Sequence, residues 1–426
     1  MSFPVYRLTR SAEEYRRALK VIPSGIYGHQ GPAEGCFVPV GAFPFFSERA
    51  KGSYFWDVDG NRFIDYMCAY GPNVLGYNDD EVDEAAAKQR EKGDCITAPS
   101  TKMIDFAELL VDTVACADWA FFAKNGGDVT TLAVIAARAH TGRKKIVFFK
   151  GYYHGVTQWT QKVDYPGILE EDVANNIYIP WNDYEALAEA FERYKGEIAA
   201  VISQPYLHGN FMDNQLPAEG FWQKVRGLCT GTGTVLIVDD VRAGFRLDLA
   251  GSDHFFGFEA DLICFCKALA NGYNVSALCG KEFLRNTVSG ISFTGSYWLS
   301  AVPFAAGIAC VEKMRRVGLP RLLHEKGAAL AEGLTAAAKK HGYDLHVSGM
   351  PALFYLRLAD PGVPAVSPEG VPATPSLMLH QRWIAEMVKR GIYLTNHHNH
   401  FLNYALSDED IRTTVAVADE AFAALT

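Results

Sequence analysis

The sequence predicts an α/β protein with a mainly parallel central sheet sandwiched by helices. Between residues 117 and 280, short apolar runs alternate with longer segments of helical periodicity, which is the pattern of successive βαβ units. Some runs, such as VLIVDD, begin with several consecutive apolar residues, as expected for strands that are covered on both faces. A chain of 426 residues can hold this domain and a smaller one.

The individual runs assign the elements in order. ADWAFFAK predicts a strand, LAVIAARAH a helix, KIVFFK a strand, YEALAEAFERYKG a helix and IAAVISQP a strand; FWQKVRGLC then predicts a helix, and TVLIVDDV and DLICFCKAL predict two strands. From about residue 300 the pattern is helical, followed by short strands at ALFYLRL and GIYLT and a last helix after Asp408. We therefore expect an N-terminal arm and part of a small domain over 1–70, a large α/β domain over 71–310, and a small α+β domain over 311–426.

Composition and charge exclude several classes of protein. The 40 Lys and Arg residues are outnumbered by 49 Asp and Glu, and no basic run would follow a phosphate backbone, so nucleic acid is not an expected partner. The first twenty residues lack the apolar core of a signal peptide, and no stretch approaches the ~18 apolar residues of a membrane span, so we expect a cytoplasmic protein without a membrane segment. The nine cysteines form no CxxC pair, so neither a disulfide framework nor a thiolate zinc site is expected.

Two charged residues end neighbouring predicted strands. Asp239 closes the run beginning at Val235, where a buried carboxylate is costly unless a cation or a strong donor meets it. Lys267 follows the next strand, and an amine that loses water there has a lowered pKa and becomes a nucleophile. Taken alone, the two residues would be interpreted as solvated charges or as a salt bridge.

Two further segments point to a cofactor. KNGGD, with Gly126 and Gly127, follows the strand WAFFA and opens a helix, where backbone amides and the helix dipole bind phosphate. GYYHG, with Tyr153 and His154, ends another strand and places an aromatic ring and an imidazole at the same edge. Together with Lys267, these groups describe a site for a phosphorylated aromatic aldehyde that forms a Schiff base, which is pyridoxal 5'-phosphate (PLP).

The following segments occur in one order along nearly the whole chain: VIPSGIYG, YFWDVDGNRFIDY, GPNVLGYNDDEV, ARAHTGRKKI, GYYHG, VDDVRAGFR, FCKALANGY and GSYWLSAVPFAAG. In this set the chain resembles the class III aminotransferases, in particular the glutamate-1-semialdehyde aminomutase-like branch with its amine and β-amino acid transaminase relatives. The resemblance implies the PLP-transferase fold of type I and a homodimer that completes each active site across the interface.

The resemblance also implies roles for individual residues. Lys267 matches the lysine that binds the cofactor as a Schiff base, Asp239 matches the acid that pairs with the pyridine nitrogen, and Tyr153 matches the aromatic that stacks on the ring. The other implied cofactor contacts are Asn125, Gly126, Gly127, His154, Val241 and Ser296, the last at the position of a threonine that reaches the partner's phosphate, with Thr294 as its alternative.

The phosphate turn departs from the family pattern. Relatives have Ser-Gly-Thr-Glu where this chain has Asn125-Gly126-Gly127-Asp128. The change removes hydroxyl ligands and leaves more of the phosphate to backbone amides. We therefore expect a cofactor affinity below that common in the family.

The implied activity is transfer of an amino group from a bulky, non-α amine to a keto acid such as pyruvate, with Lys267 as the base. Within the family, a glutamate-1-semialdehyde-type aminomutase or an amino acid racemase or epimerase is the alternative, since either would need no second substrate. An NAD-dependent Rossmann dehydrogenase is more remote, because Gly231-Thr232-Gly233 precedes its strand and lacks the third glycine.

Substrate contacts are predicted less directly. An arginine fork holds a carboxylate acceptor best, and Arg242 and Arg246 are the candidates near the site. The alternative interpretations are a surface charge for Arg242 and, for Arg246, which matches a family arginine, a residue that braces the fold. No metal is expected at the His397-His398-Asn399-His400 segment, because no carboxylate set accompanies it; a loop near the substrate entrance is expected instead. The candidate substrate residues, several of them in segments that line the pocket in relatives, are Tyr27, His29, Tyr70, Trp159, Arg242 and His397.

Overall fold

The computed structural model of the protein describes residues 3–23, 25–26, 46–210, 212–358 and 375–425, with the backbone alone for 375–377. The described chain divides into two compact units: one comprises residues up to 79, 208–214 and those from 321 onward, and the other comprises 80–207 and 215–320. None of the helices among these residues is both long enough and apolar enough to span a membrane.

The helices, in chain order, are α1 Thr9–Ala18, α2 Asp80–Lys92, α3 Lys102–Thr113, α4 Gly126–Thr141, α5 Glu170–Val173, α6 Tyr184–Arg193, α7 Phe221–Thr232, α8 Ser252–Phe255, α9 Glu282–Ser289, α10 Ala301–Val317, α11 Leu319–Lys340, α12 Pro375–Lys389 and α13 Asp408–Ala423. The strands are β1 Ser47–Lys51, β2 Tyr54–Asp57, β3 Arg62–Asp65, β4 Trp119–Ala123, β5 Lys145–Phe149, β6 Asn176–Ile179, β7 Ile198–Ser203, β8 Val235–Asp239, β9 Leu262–Phe265, β10 Ser276–Gly280, β11 Leu345–Met350, β12 Leu353–Leu358, β13 Ile392–Tyr393 and β14 His400–Phe401. Two 3-10 helices cover Gln158–Thr160 and Lys267–Ala270.

A seven-stranded sheet in the order β4-β10-β9-β8-β7-β5-β6 forms the centre of the second unit. Strands β5 to β9 pair in parallel, and β10 is antiparallel to both β9 and β4. The strands β4, β5, β6, β7, β8 and β9 therefore all point the same way, which confirms the predicted mainly parallel sheet. Their carboxyl ends meet at one edge, and the loops that follow them can build a site there.

Helices cover both faces of this sheet. On one face, Val129 and Leu132 of α4 pack against alternate strand residues such as Phe148 and Ile237. On the other face, Trp222 of α7 belongs to a second buried cluster with the intervening strand residues, among them Phe149 and Leu236. Alternate residues of each buried strand thus point to opposite faces of the sheet and contribute to the two cores, as the continuous apolar runs predict.

The other unit contains two smaller sheets with helices, in the orders β1-β2-β3-β13 and β11-β12-β14. Its last helix, α13, begins after Ser407, whose hydroxyl accepts a hydrogen bond from the Asp410 amide at 3.1 Å. Asp410 returns the contact, because its carboxylate accepts from the Ser407 amide at 2.8 Å. This capping box fixes the helix start that the sequence places after Asp408.

Candidate active site

Asp239 and Lys267 lie at the same edge of the large sheet. Asp239 is the last residue of β8 and pairs with Cys264 in the neighbouring parallel strand β9, and Lys267 follows two residues after β9 ends. Asp239 is buried, with 4% of its surface exposed, and Lys267 is partly exposed. The strand order therefore brings the predicted acid and the predicted amine to neighbouring positions.

The surroundings of Lys267 favour its neutral form. Burial and the positive charges of Arg242 and Arg246 together lower the pKa of the amine to about 7, against weaker opposite effects of Cys266 and Asp239. An amine with a pKa near 7 is unprotonated in a large fraction of molecules at neutral pH, as a nucleophile and a general base require. The backbone of Lys267 is left-handed, with φ of 35°, a strained conformation that is typical of functional sites.

The Asp239 carboxylate is held by two hydrogen bonds. Its Oδ2 lies 2.6 Å from His154 Nδ1, and its Oδ1 accepts from the Val241 amide at 3.2 Å. His154 is 2% exposed, and within the described residues its Nε2 is buried without a hydrogen-bond partner. A carboxylate oriented in this way suits a protonated ring nitrogen, so the donor set fits the pyridine end of PLP.

The start of α4 provides backbone donors at the same edge. Gly126 and Gly127 are its first two residues, whose amides have no acceptor within the helix and lie at its positive end. Asn125 precedes them and is exposed, and its backbone N–H donates to Asp128 Oδ2 at 2.8 Å, which closes the turn. A Cβ on Gly126 would lie 2.8 Å from Val241 Cγ1, so the residue must be glycine. This cradle fits a phosphate group.

The loop after β5 packs directly on that turn. Gly155 has φ of +113°, and a Cβ there would lie 2.9 Å from Gly127 Cα, so a side chain cannot be accommodated. Thr130 of α4 donates to the carbonyl of His154 at 2.8 Å. These contacts hold the imidazole beside the helix start. Tyr153 is 46% exposed, and burial of the rest of its surface raises its pKa.

Several residues of this site were not predicted from the sequence. Tyr152 stacks on His154 with ring centroids 5.1 Å apart, and the Gln204 amide group donates to the Tyr153 carbonyl at 3.4 Å. Asp240, next to Asp239, accepts hydrogen bonds from the amide and hydroxyl of Ser252 at 3.0 and 2.6 Å, and burial raises its pKa to about 7. The YYH string contains both Tyr152 and His154 and the VDD string contains Asp240, but no local pattern predicts that Ser252 bonds to Asp240 or that Gln204 bonds to the Tyr153 carbonyl.

The two arginines near Asp239 are internal. Arg242 is 5% exposed and Arg246 is 1% exposed, and Arg246 Nη1 donates to the Arg242 carbonyl at 3.1 Å. Burial lowers the pKa of Arg242 to about 10, while the charge of Asp239 acts in the opposite direction. Arg242 is therefore not a surface charge, which was one interpretation of its sequence position.

Ser296 and Thr294 lie on an exposed loop. Neither hydroxyl forms a hydrogen bond within the described part of the chain, although the Ser296 carbonyl accepts from Cys95 Sγ at 3.7 Å. Their neighbours Tyr297 and Leu299 are apolar and are 70% and 40% exposed.

The predicted substrate residues have varied surroundings. Tyr27 and His29 lie outside the described residues. Trp159 is half-buried and packs against Phe148 at a centroid distance of 5.8 Å, which agrees with a packing role as well as with a pocket role.

Tyr70 and His397 lie in the smaller-sheet unit. Cys68, Ala69 and Tyr70 form a run of three left-handed residues, with φ of 48°, 55° and 66°, and the Tyr70 ring meets His398 edge-to-face at 5.1 Å. His397 is 1% exposed.

The histidine segment uses its imidazoles in local contacts. His398 Nδ1 lies 2.8 Å from the Asn399 carbonyl, and His400 Nε2 accepts from the Thr395 amide at 3.1 Å. Across the residues that the structure describes, no group of three or more His, Cys, Asp or Glu side chains could hold a metal ion.

Gly231 and Gly233 lie at the end of α7. Gly233 caps the helix in a left-handed conformation with φ of 63°. A dinucleotide-binding turn would open a helix after a strand, so these glycines do not form one.

Known proteins with similar sequences cover the same length of chain. The sequence profile described as Aminotransferase class-III matches residues 37–417. The aminopentol aminotransferase of Sphingopyxis macrogoltabida is 41% identical over 424 residues, which cover 98% of this chain and 94% of that protein. The 3-aminobutyryl-CoA aminotransferase of Cloacimonas acidaminovorans is 30% identical over 421 residues, 98% of this chain and 97% of that protein.

The fold has a close counterpart among solved structures. The PLP internal aldimine form of the FumI protein of Sphingopyxis sp. MTA144 superposes with a TM-score of 0.91 at 41% identity, covering 98% of this chain and 96% of that one. Its architecture confirms the PLP-transferase fold of type I for this chain.

Proposed function

This chain belongs to the class III aminotransferases, and we propose that it transfers the amino group of a bulky amine, one that is not an α-amino acid, to a keto acid such as pyruvate. It is a PLP-dependent transaminase with amine and keto acid substrates. Membership of this family rules out the remote alternative, an NAD-dependent dehydrogenase. The amine, the acceptor and the residue roles below are the proposal.

One observation carries the assignment of residues. The carboxyl ends of β4, β5, β8 and β9 meet at one sheet edge, which carries the glycine turn after β4, His154 after β5, Asp239 as the last residue of β8 and Lys267 after β9. This strand order alone accounts for the proposed phosphate cradle, ring-nitrogen partner and amine lying at one edge of the sheet. In this assignment Lys267, Asp239 and Tyr153 are the catalytic residues.

Each of these residues has a separate task. When bound, PLP supplies an electron sink for the negative charge that forms at the substrate Cα. Lys267 would hold the cofactor through Nζ, and its neutral amine would serve as the base that takes the proton from the substrate Cα. Asp239 keeps the ring nitrogen protonated, and its bond to His154 fixes its orientation. The amides of Gly126 and Gly127 bind the phosphate, with Asn125 and Val241 shaping the turn.

The size and type of the amine are inferred from the relatives. Their names denote an aminopentol and a 3-aminobutyryl-CoA, neither of which is an α-amino acid. Tyr70 and Trp159, with Tyr27, His29, His397 and Arg242, are the proposed substrate contacts.

The test is a panel of amines incubated with the PLP-loaded enzyme, with and without pyruvate. The proposal expects alanine and continued release of a carbonyl product only when pyruvate is present, and at most one equivalent of carbonyl product per active site without it. Isomerisation of an amine without an acceptor would instead identify an aminomutase or an epimerase.

We further propose a cytoplasmic homodimer in which Ser296, or Thr294, reaches the phosphate of the partner subunit. The exposed Ser296 loop with its apolar neighbours Tyr297 and Leu299 supports an interface there. The division into an arm over 1–70, a large domain over 71–310 and a small domain over 311–426 is retained as part of the proposal.

A further inference from the structure

Lys124 joins the turn that carries Lys267 to the start of α4. It follows β4 directly, and only 8% of its surface is exposed. Its Nζ donates to the Asn274 carbonyl at 2.9 Å, and its own carbonyl accepts from Cys266 Sγ at 3.7 Å. Its amide donates to Asp128 Oδ2 at 3.2 Å. One residue therefore contacts both ends of the lysine turn and the cap of the phosphate-binding helix.

The turn over residues 266–274 needs such support. Lys267 and Asn271 are both left-handed, with φ of 35° and 46°, and neither is a glycine. Left-handed backbone at residues with a Cβ costs free energy and persists only where the surroundings fix it. Lys124 contacts Cys266, directly before Lys267, and Asn274, three residues after Asn271. Its contacts therefore lie on both sides of the strained part of the turn.

The charge of Lys124 is not explained by the stability of the fold. Burial of the ammonium lowers its pKa, against smaller opposing effects of Asp94 and Cys95. Among the described residues its side chain has one hydrogen bond, to a neutral carbonyl, and no carboxylate within ion-pair distance. Burying an ammonium costs more than such a bond returns, whereas an apolar side chain of the same length would bury without that cost.

We propose that Lys124 is a positioning residue that holds Lys267 at a fixed separation from the amides of Gly126 and Gly127. This inference rests on the proposed function. PLP has a rigid ring with a short phosphate arm, and it would be anchored at two ends, by its phosphate and by its aldehyde carbon. Both anchors can bind at full strength only if the protein holds them at a matching distance beforehand. Lys124 ties one anchor to the other, through its Nζ at the lysine turn and through its backbone amide at the start of α4.

The experiment compares Lys124→Met with Lys326→Met in the PLP-loaded enzyme. Lys326 is a matched control, because its half-buried Nζ also donates to a carbonyl, that of Tyr404 at 2.7 Å, and burial also lowers its pKa. Lys124→Met should release PLP on the order of tenfold faster and lower kcat with little change in the KM of the amine. Lys124→Arg should restore slow release, and Lys326→Met should keep the wild-type rate.

A second readout separates positioning from simple structural support. Since the charge does not stabilise the fold, Lys124→Met should melt no lower than the wild type when both are free of PLP. Wild-type release of PLP by Lys124→Met would overturn the inference. If the melting temperature of that variant were also lowered, the role of Lys124 would be structural. If Lys124→Met does not fold, Lys124→Gln is judged by the same criteria.

The two proposals fail in different ways. If the wild-type protein attaches no PLP, or if Lys267→Ala attaches it as well as the wild type does, the proposed function is wrong. If the wild type attaches PLP through Lys267 and Lys124→Met behaves like it, only the role of Lys124 is wrong.

Discussion

The pKa of Lys267 is the residue-level property on which the chemistry depends. Burial and two buried guanidinium groups lower it to about 7, so the amine is protonated below that pH and neutral above it. We therefore predict that the rate of PLP attachment to the cofactor-free enzyme rises with pH up to about 7 and then levels off. Stopped-flow absorbance across a pH series measures this rate.

The control for that series is Lys267→Ala, which has no amine at this position and should show no such phase. A rate that keeps rising toward pH ~10.4, the ordinary pKa of lysine, would contradict a desolvated amine.

The sequence predicts Lys267 and Asp239 because both follow apolar runs, which is a local signal. It does not predict that His154 bonds to Asp239, 85 positions away, or that Thr130 bonds to the His154 carbonyl. Those contacts depend on strand order, since β5 and β8 are separated by β7 in the sheet. Local patterns therefore identify the reactive groups, whereas tertiary structure orients them.

At the scale of elements, the start of α4 has no room for a side chain at Gly126. A Cβ on Gly126 would lie 2.8 Å from Val241 Cγ1, so Gly126→Ala must displace the turn or the valine. We predict that this variant binds PLP at least about tenfold more weakly, equivalent to a loss of ~1.4 kcal/mol. A fluorescence or absorbance titration of the cofactor-free protein measures the affinity.

Gly227→Ala in α7 is the matched control. Gly227 is exposed and a Cβ there would meet nothing within 4 Å, so alanine should stabilise the helix by ~0.5–1 kcal/mol and leave PLP affinity unchanged. Wild-type affinity in Gly126→Ala would show that the turn does not form the phosphate site.

The strands show what sequence patterns can and cannot predict. Runs rich in Val, Ile and Phe predict β5, β7, β8 and β9, but β6 and β10 were not predicted. β10 reads SALCG, has no β-branched residue and ends in Gly280, where a Cβ would lie 2.5 Å from Leu262 and 2.7 Å from Trp119. Small residues are required because β10 lies between two strands with bulky side chains, a constraint that appears only in the folded sheet.

At the scale of the whole molecule, the proposed dimer makes a testable claim about Ser296. Its hydroxyl has no hydrogen bond within the described part of the chain, so Ser296→Ala should not affect folding of the subunit. If the hydroxyl reaches the partner's phosphate, the variant should bind PLP several-fold more weakly and remain dimeric. Light scattering gives the mass, and titration gives the affinity.

Thr294→Ala is the companion variant. It should match the wild type if Ser296 is the contact, and a loss of affinity in Thr294→Ala alone would assign the role to Thr294. A monomeric wild-type enzyme with full activity would contradict a shared site.

The central claim is that PLP is attached to Lys267 at the edge where β8 and β9 end, and it can be measured directly. The loaded enzyme is reduced with borohydride, which makes the attachment permanent, and its peptides are mapped by mass spectrometry. The account predicts one modified peptide carrying the cofactor on Lys267 and none in Lys267→Ala. Modification of another lysine, such as Lys124, or no stable adduct at all, would contradict it.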